Sequence, residues 1–389
     1  MEPDLSPLAG SLGDADGFVI HASGDESDQR YLSGFDAPDP FFTLFTPDRL
    51  SLLVSALEYG RARSGSRADE VVRRSEYDFR ARVAEHGPRE GRARTIAAFL
   101  DDRGVERVVA PDRFPLGLAD RLREQGVEIR VGEADALGDV RAVKTDEEIE
   151  HVRRSQRANE AAMAAAEDLL AAASVVDGTL RVDGDPLTSE RVKEEIEVTL
   201  LRHGCGLDET IVACGRAAAD PHDRGSGPLA AEEPIVIDIF PRGKASGYHA
   251  DMTRTFAVGD PGEQVREWFD LTNRARRAAL DAVEPGVTGS EVHDAVCDVY
   301  EAAGHATLRS DPSTETGFIH STGHGVGLDV HESPSVAPDG DKLEPGNVIT
   351  IEPGLYDPEV GGIRIEDLVV VTEDGYENLT EYPIDLVVD

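Results

Sequence analysis

Lysine is scarce in this chain. Of its 39 basic residues only four are lysines (Lys144, Lys193, Lys244 and Lys342), set against 77 acidic residues. The formal charge at pH 7 is −38, which argues against nucleic acid or anionic membranes as partners, since both are polyanions. Cysteine is scarce as well. Cys205, Cys214 and Cys297 are odd in number and follow no pattern, so a disulfide framework is not expected, and a reducing, cytoplasmic setting is. No apolar run approaches the roughly 20 residues that a membrane helix needs. The N-terminal MEPDLSPLAGSLGDADG has neither the basic nor the apolar region of a signal peptide. Neither GxGxxG nor GxxxxGKS/T occurs, so no nucleotide cradle is expected, and there is no internal repeat.

The acidic residues are dispersed along the chain and not gathered in a tail. Self-repulsion of this size destabilises a compact state in dilute buffer. At molar salt the Debye length falls to about 3 Å and the repulsion is screened. The composition therefore predicts a cytoplasmic protein adapted to high salt, as in a halophile.

At 389 residues the chain is long enough for two domains, each with its own core. The boundary is expected near residue 142, giving domains 1–141 and 142–389. In the first, apolar runs at 17–20, 41–45, 50–54, 105–110 and 127–131 read as strands. Amphipathic stretches at 95–104 and 116–126 read as helices, and the alternation argues for an α/β domain. The polar, Arg-rich segment 60–94 fits a surface helix or an interface segment. In the second domain Thr145 and Glu148 form a capping box that opens a long Ala-rich helix to about residue 173. Further helices are expected at 189–202, at 263–283 and, after a second capping box at Thr288 and Glu291, to 303. Strands are expected at 209–214, 234–240, 253–258, 347–353 and 363–371. A few helices on a curved, largely antiparallel sheet make this domain α+β.

Five side chains carry the chemistry: Asp238 in PIVIDIF, Asp251 in GYHADMTRTF, His324 in HSTGHGVGLDVHE, Glu352 in TIEPGLY and Glu366 in GGIRIEDLVV. Four carboxylates and one imidazole make an oxygen-rich set, suited to two divalent ions that share carboxylates. Each lies in or beside a strand-like run or a Gly-bracketed turn, which would hold it rigidly. Taken singly, each has a plain structural reading. Asp238 could cap a loop, Asp251 could pair with Arg254, Glu366 could pair with Arg364, and His324 could serve its turn.

The ordered set of five motifs, over about residues 143–385, resembles the pita-bread metallopeptidases: Xaa-Pro dipeptidase (prolidase), aminopeptidase P and methionine aminopeptidase. RYLSGF at 30–35 resembles a segment of the N-terminal creatinase-like domain in the proline-peptidase branch, which methionine aminopeptidases lack. The resemblance implies an α/β creatinase-like N-terminal domain and an α+β pita-bread catalytic domain. It implies a two-metal exopeptidase acting on the N-terminal Xaa-Pro bond of short proline-containing peptides, and a homodimer. Asp238 would chelate one ion, Asp251 and Glu366 would bridge both, and His324 and Glu352 would hold the other. The donor set favours manganese, with cobalt and zinc as alternatives. Glu352 would also move the proton from water to the leaving nitrogen. His222, in CGRAAADPHDRG, and His331, in DVHE, match histidines that contact the substrate on either side of the scissile bond. His320 matches one lining the proline pocket. Arg364, on the same strand face as Glu366, would orient that carboxylate or meet a substrate carboxylate, and Tyr356 would line the site or simply pack.

Two features depart from the family pattern. The connection between the two aspartates is two residues longer than usual, with Phe240-Pro241-Arg242 at its turn. Some prolidases place an arginine clamp for the dipeptide carboxylate between the DVHE histidine and the TIEP glutamate, where this chain has only Lys342. Dipeptidase and aminopeptidase P therefore both stay open. Three rival readings stand beside these: a methionine aminopeptidase, a metal-free creatinase-like hydrolase and a non-catalytic pita-bread binding protein.

Overall fold

The apolar runs of the first 141 residues form one six-stranded sheet, seen in a computed structural model that describes residues 3–132 and 135–388. The first two residues of the stretch read for a signal peptide lie outside the described residues. The chain divides into two compact units, the first ending at Arg141 and the second beginning at Ala142.

In the first unit the strands follow the order Glu70–Arg73, Arg49–Val54, Phe41–Thr46, Gly17–Ala22, Arg107–Ala110, Glu128–Val131. The central pairs are antiparallel and the outer ones parallel. Phe42 and Phe99 meet edge to face at 6.0 Å in the core between this sheet and the helix Pro88–Asp101. That helix begins earlier than the expected residue 95, with proline in its first turn, where the missing N–H costs nothing. The Arg-rich segment resolves into the helices Tyr59–Gly65 and Phe79–His86 with the short edge strand Glu70–Arg73 between them.

In the second unit both expected capping boxes are present, at Thr145 with Glu148 and at Thr288 with Glu291. They open the helices Asp146–Ala171 and Gly289–Ala302. The strands form two principal sheets. In one, Thr210–Cys214, Ile235–Ile239 and Met252–Val258 pair antiparallel, with Val387–Val388 added parallel at the edge. Ile237 and Phe256 from this sheet pack with Ala158 and Ala162 of the long helix and Ile196 of the helix Ser189–Arg202. In the other, Glu332–Val336, Gly323–Gly325, Val348–Ile351, Asp367–Thr372 and Gly375–Asn378 are antiparallel throughout. Its core joins Ile349 and Ile351 to Trp268 of the helix Gly262–Ala282 and Tyr300 of the helix Gly289–Ala302.

The strand expected at 363–371 is two strands, Gly361–Arg364 and Asp367–Thr372. The break has a physical cause. Arg364 N donates to Thr255 Oγ1 at 3.0 Å and Glu366 N to Thr253 O at 3.1 Å, so this end is bound to the first sheet. From Asp367 onward the chain pairs with Val348–Ile351 of the second sheet. Glu366 sits at the crossing.

Candidate metal centre

That crossing lets a single centre draw on both sheets. Asp238 lies within the strand Ile235–Ile239, and Asp251 immediately precedes Met252–Val258. His324 is the middle residue of Gly323–Gly325, and Glu352 follows Val348–Ile351. The glycines flanking His324 allow its strand to lie close to its neighbours. A Cβ on Gly323 would come within 2.0 Å of Thr350 O, and one on Gly325 within 2.3 Å of Ser333 O.

Donor atoms of Asp251, His324 and Glu366 all lie within 4.8 Å of one another. His324 Nε2 is 3.2 Å from Glu352 Oε1 and 3.8 Å from Asp251 Oδ2. Its Nδ1 lies 3.1 Å from Gly325 O, which accepts the Nδ1 proton and leaves Nε2 to face the carboxylates. Asp238 Oδ1 and Asp251 Oδ1 are buried without a hydrogen-bond partner.

The electrostatics show a site short of positive charge. Asp251 and Glu366 are pushed well above the ordinary carboxylate range, first by burial and then by the surrounding carboxylates. Burial also raises Asp238, with Arg364 opposing it. Burial would raise Glu352 too, but the hydrogen bond and charge of His324 outweigh it and bring the carboxyl down to about 2. His324 is in turn raised against the effect of burial, chiefly by Glu352. Crowded carboxylates with partnerless buried oxygens, beside the His324 imidazole, fit divalent cations, whose charge would offset the mutual repulsion.

Among the described residues the pairings of Asp251 with Arg254 and of Glu366 with Arg364 are not formed. Arg254 bonds Asp367, at 3.0 Å, and Arg364 bonds Asp238 Oδ2, at 2.6 Å. Arg364 thus orients the first aspartate and not Glu366. Its remaining contacts are internal: Nε donates to Thr253 Oγ1 at 3.1 Å, and Nη1 lies 3.3 Å from both Tyr356 Oη and Pro221 O. With the guanidinium so engaged and 4% exposed, it has no free edge for a substrate carboxylate. Tyr356 is buried, and its hydroxyl donates to His320 Nε2 at 3.0 Å. His320 Nδ1 donates to Ser321 O at 2.7 Å, and burial pushes the ring down to about 4.

His331 is exposed, and its ring centroid lies 4.2 Å from that of His324. His222 is exposed on the loop after the turn Gly215–Ala219. Its charge opposes protonation of both His320 and His331, so it lies near those two rings. Lys342 is exposed, with its main chain bridged to Thr288 and its charge acting on Glu291. It lies beside the N-terminus of the helix Gly289–Ala302.

Two residues missed by sequence reasoning complete the centre. Thr253 Oγ1 donates to Glu366 Oε2 at 2.8 Å while accepting from Arg364. Thr350 Oγ1 accepts from His324 N at 3.0 Å and donates to Glu352 Oε1 at 3.2 Å. Each lies two residues from a ligand candidate, on the same strand face, and that spacing was the signal available.

The metallopeptidase family M24 model matches residues 150–373, more than half of the chain, and the creatinase/prolidase N-terminal domain model matches residues 13–155. The chain belongs to metallopeptidase family M24. This M24 chain is 36% identical over 298 residues to the probable dipeptidase PepE of Mycobacterium tuberculosis, covering 75% of the chain and 72% of that protein. It is similar in structure to the prolidase from Pyrococcus furiosus, with a TM-score of 0.77, 27% identity and 97% and 99% of the two chains covered. The X-Pro aminopeptidase from Thermotoga maritima gives a TM-score of 0.80, with 25% identity and 98% and 99% covered. The fold of this M24 enzyme is accordingly a creatinase-type α/β unit followed by an α+β pita-bread unit.

Proposed function

We propose that this M24 enzyme is a two-metal exopeptidase that hydrolyses the N-terminal Xaa-Pro bond of dipeptides or short peptides, its two compact units being the two domains. The observation that carries the reading is the convergence of Asp251, His324 and Glu366 within 4.8 Å, beside aspartate oxygens that are buried and partnerless. Relatives named as a prolidase and an X-Pro aminopeptidase support the proline specificity. The match to the creatinase/prolidase N-terminal domain argues against a methionine aminopeptidase. The complete ligand set argues against a metal-free hydrolase or a non-catalytic binding protein.

Asp238 would hold one ion, Asp251 and Glu366 both, and His324 and Glu352 the other, with manganese favoured by the oxygen-rich donors. When bound, the ions polarise water and the substrate carbonyl and carry part of the charge that develops on it. Glu352 would be the base that takes the proton and returns it to the leaving nitrogen. His222 and His331, both exposed beside the centre, donate to the substrate on either side of the scissile bond. His320, edge-on to Phe318 at 5.1 Å and to Tyr356 at 5.3 Å, is the accessible member of an aromatic wall suited to a pyrrolidine ring. Arg364 and Tyr356 act one step back, holding Asp238 and His320.

Hydrolysis of an Xaa-Pro dipeptide and an Xaa-Pro-Xaa tripeptide, in multi-molar KCl with Mn²⁺, tests the reading. Turnover of the dipeptide alone identifies a dipeptidase, turnover of the tripeptide an aminopeptidase P, and failure on both with metal bound overturns the proline specificity. The formal charge of −38 supports a halophilic cytoplasmic enzyme, and no helix among the described residues is long and apolar enough to cross a membrane. Retention of fold and activity after dialysis into millimolar salt would contradict the halophilic reading. Family resemblance supports a homodimer, which sedimentation in KCl would test.

A further inference from the structure

Only one of the four lysines is buried. Lys144 is 5% exposed, with Nζ 2.6 Å from Glu332 Oε1 and 3.3 Å from Ala142 O. A desolvated ammonium requires such partners, and a desolvated carboxylate requires the ammonium. The place of the pair in the chain suggests what it does. Glu332 directly follows His331. Its Oε2 accepts from Asp329 N at 3.4 Å, so one carboxylate ties the turn leading to His331. That carboxylate fills the space left by Gly327, where a Cβ would lie 2.2 Å from Oε1. Glu332 also opens the strand Glu332–Val336 and pairs with Gly325, beside His324.

The other end of the pair is fixed as firmly. Lys144 N donates to Gly346 O at 2.9 Å, and Asn347 Nδ2 donates to Ala142 O at 3.0 Å. Residues 142–144 are thereby fastened to the segment just before Val348–Ile351, the strand that delivers Glu352. Lys144 therefore joins the approach to Glu352 to the turn that carries His331.

We propose that Lys144 is a positioning residue for His331, acting through Glu332 to hold the 327–332 turn so that the imidazole stays against His324. This rests on the reading of His331 as a substrate-contacting residue. Without the ammonium, Glu332 loses the cation 2.6 Å from its Oε1, and the turn it ties shifts.

The test compares Lys144→Met with the wild type in molar KCl and Mn²⁺, on whichever proline peptide the wild type turns over. The expected result is unchanged metal content and a kcat/KM lower by about 10–100-fold, carried by kcat. In a His331→Ala background the same change should cost less than about twofold, because the group it positions is gone. Should Lys144→Met fail to fold, the paired Lys144→Met/Glu332→Met variant removes both charges together. It should recover folding while its rate stays low. Three results would overturn the proposal: a kcat/KM for Lys144→Met within about twofold of wild type, an equal loss in both backgrounds, or a paired variant with the wild-type rate. A wild type inactive on every peptide would overturn the peptidase reading instead. The positioning would then be read from the His331 imidazole NMR resonances in zinc-loaded protein, which Lys144→Met shifts if the proposal holds and leaves in place if it does not.

Discussion

Glu366 and Asp367 are neighbours in the chain, each 2% exposed, and their charges meet opposite surroundings. Asp367 accepts from Arg254 Nη2 at 3.0 Å, from Asn378 Nδ2 at 2.9 Å and from Arg276. Glu366 receives one hydroxyl, that of Thr253, and is otherwise pressed by carboxylates. A buried acid with its cations built in is part of the framework. A buried acid without them is held in an unfavourable state that a ligand can relieve. The framework acid also supports the other one, since Arg254 Nη1 donates to Glu366 O at 2.6 Å.

If that contrast is right, Glu366→Gln should lower kcat/KM by about 10³-fold or more while the metal-free protein folds as well as the wild type. Wild-type turnover in that variant, measured in KCl with Mn²⁺, would break the comparison from the functional side. Asp367→Ala should do the reverse, leaving two arginines without their carboxylate and costing about 3–5 kcal/mol of stability. Denaturant unfolding at fixed salt would show it.

The same contrast holds between imidazoles. His324 is raised by the carboxylates around it, whereas burial, then Arg92 and Arg74, push His21 down to about 4. Unfolded histidine titrates near 6.5. Between those values the unfolded chain takes up a proton that folded His21 refuses, so stability falls as pH drops through about 6.5 toward 4. The loss approaches about 3 kcal/mol. His21→Gln should flatten that part of the curve of stability against pH. The smallest effect is expected at Thr253, whose hydroxyl carries Arg364 to Glu366. Thr253→Val should cost about tenfold in kcat/KM and Thr253→Ser much less.

The helices that open on capping boxes were legible because both halves of each box lie within four residues. The ligand candidates were legible because each lies in its own short motif. The split at Glu366 was not, since IRIEDLVVV shows no break in its apolar pattern and the crossing depends on Thr253 and Thr255 far upstream. The partners of Arg364 and Lys144 were hidden for the same reason. Lys144 meets a glutamate 188 residues away, and no local period marks such a contact. In the segment 60–94 the strand Glu70–Arg73 is too short to show alternation.

The carboxylates crowded around His324 should then bind two divalent ions. Titration calorimetry of Mn²⁺ into metal-free protein in molar KCl tests it most directly, with Glu366→Gln beside the wild type. Two ions per wild-type chain and a loss of tight binding in the variant are expected. No binding to the wild type, or the same stoichiometry and affinity in both, would contradict it.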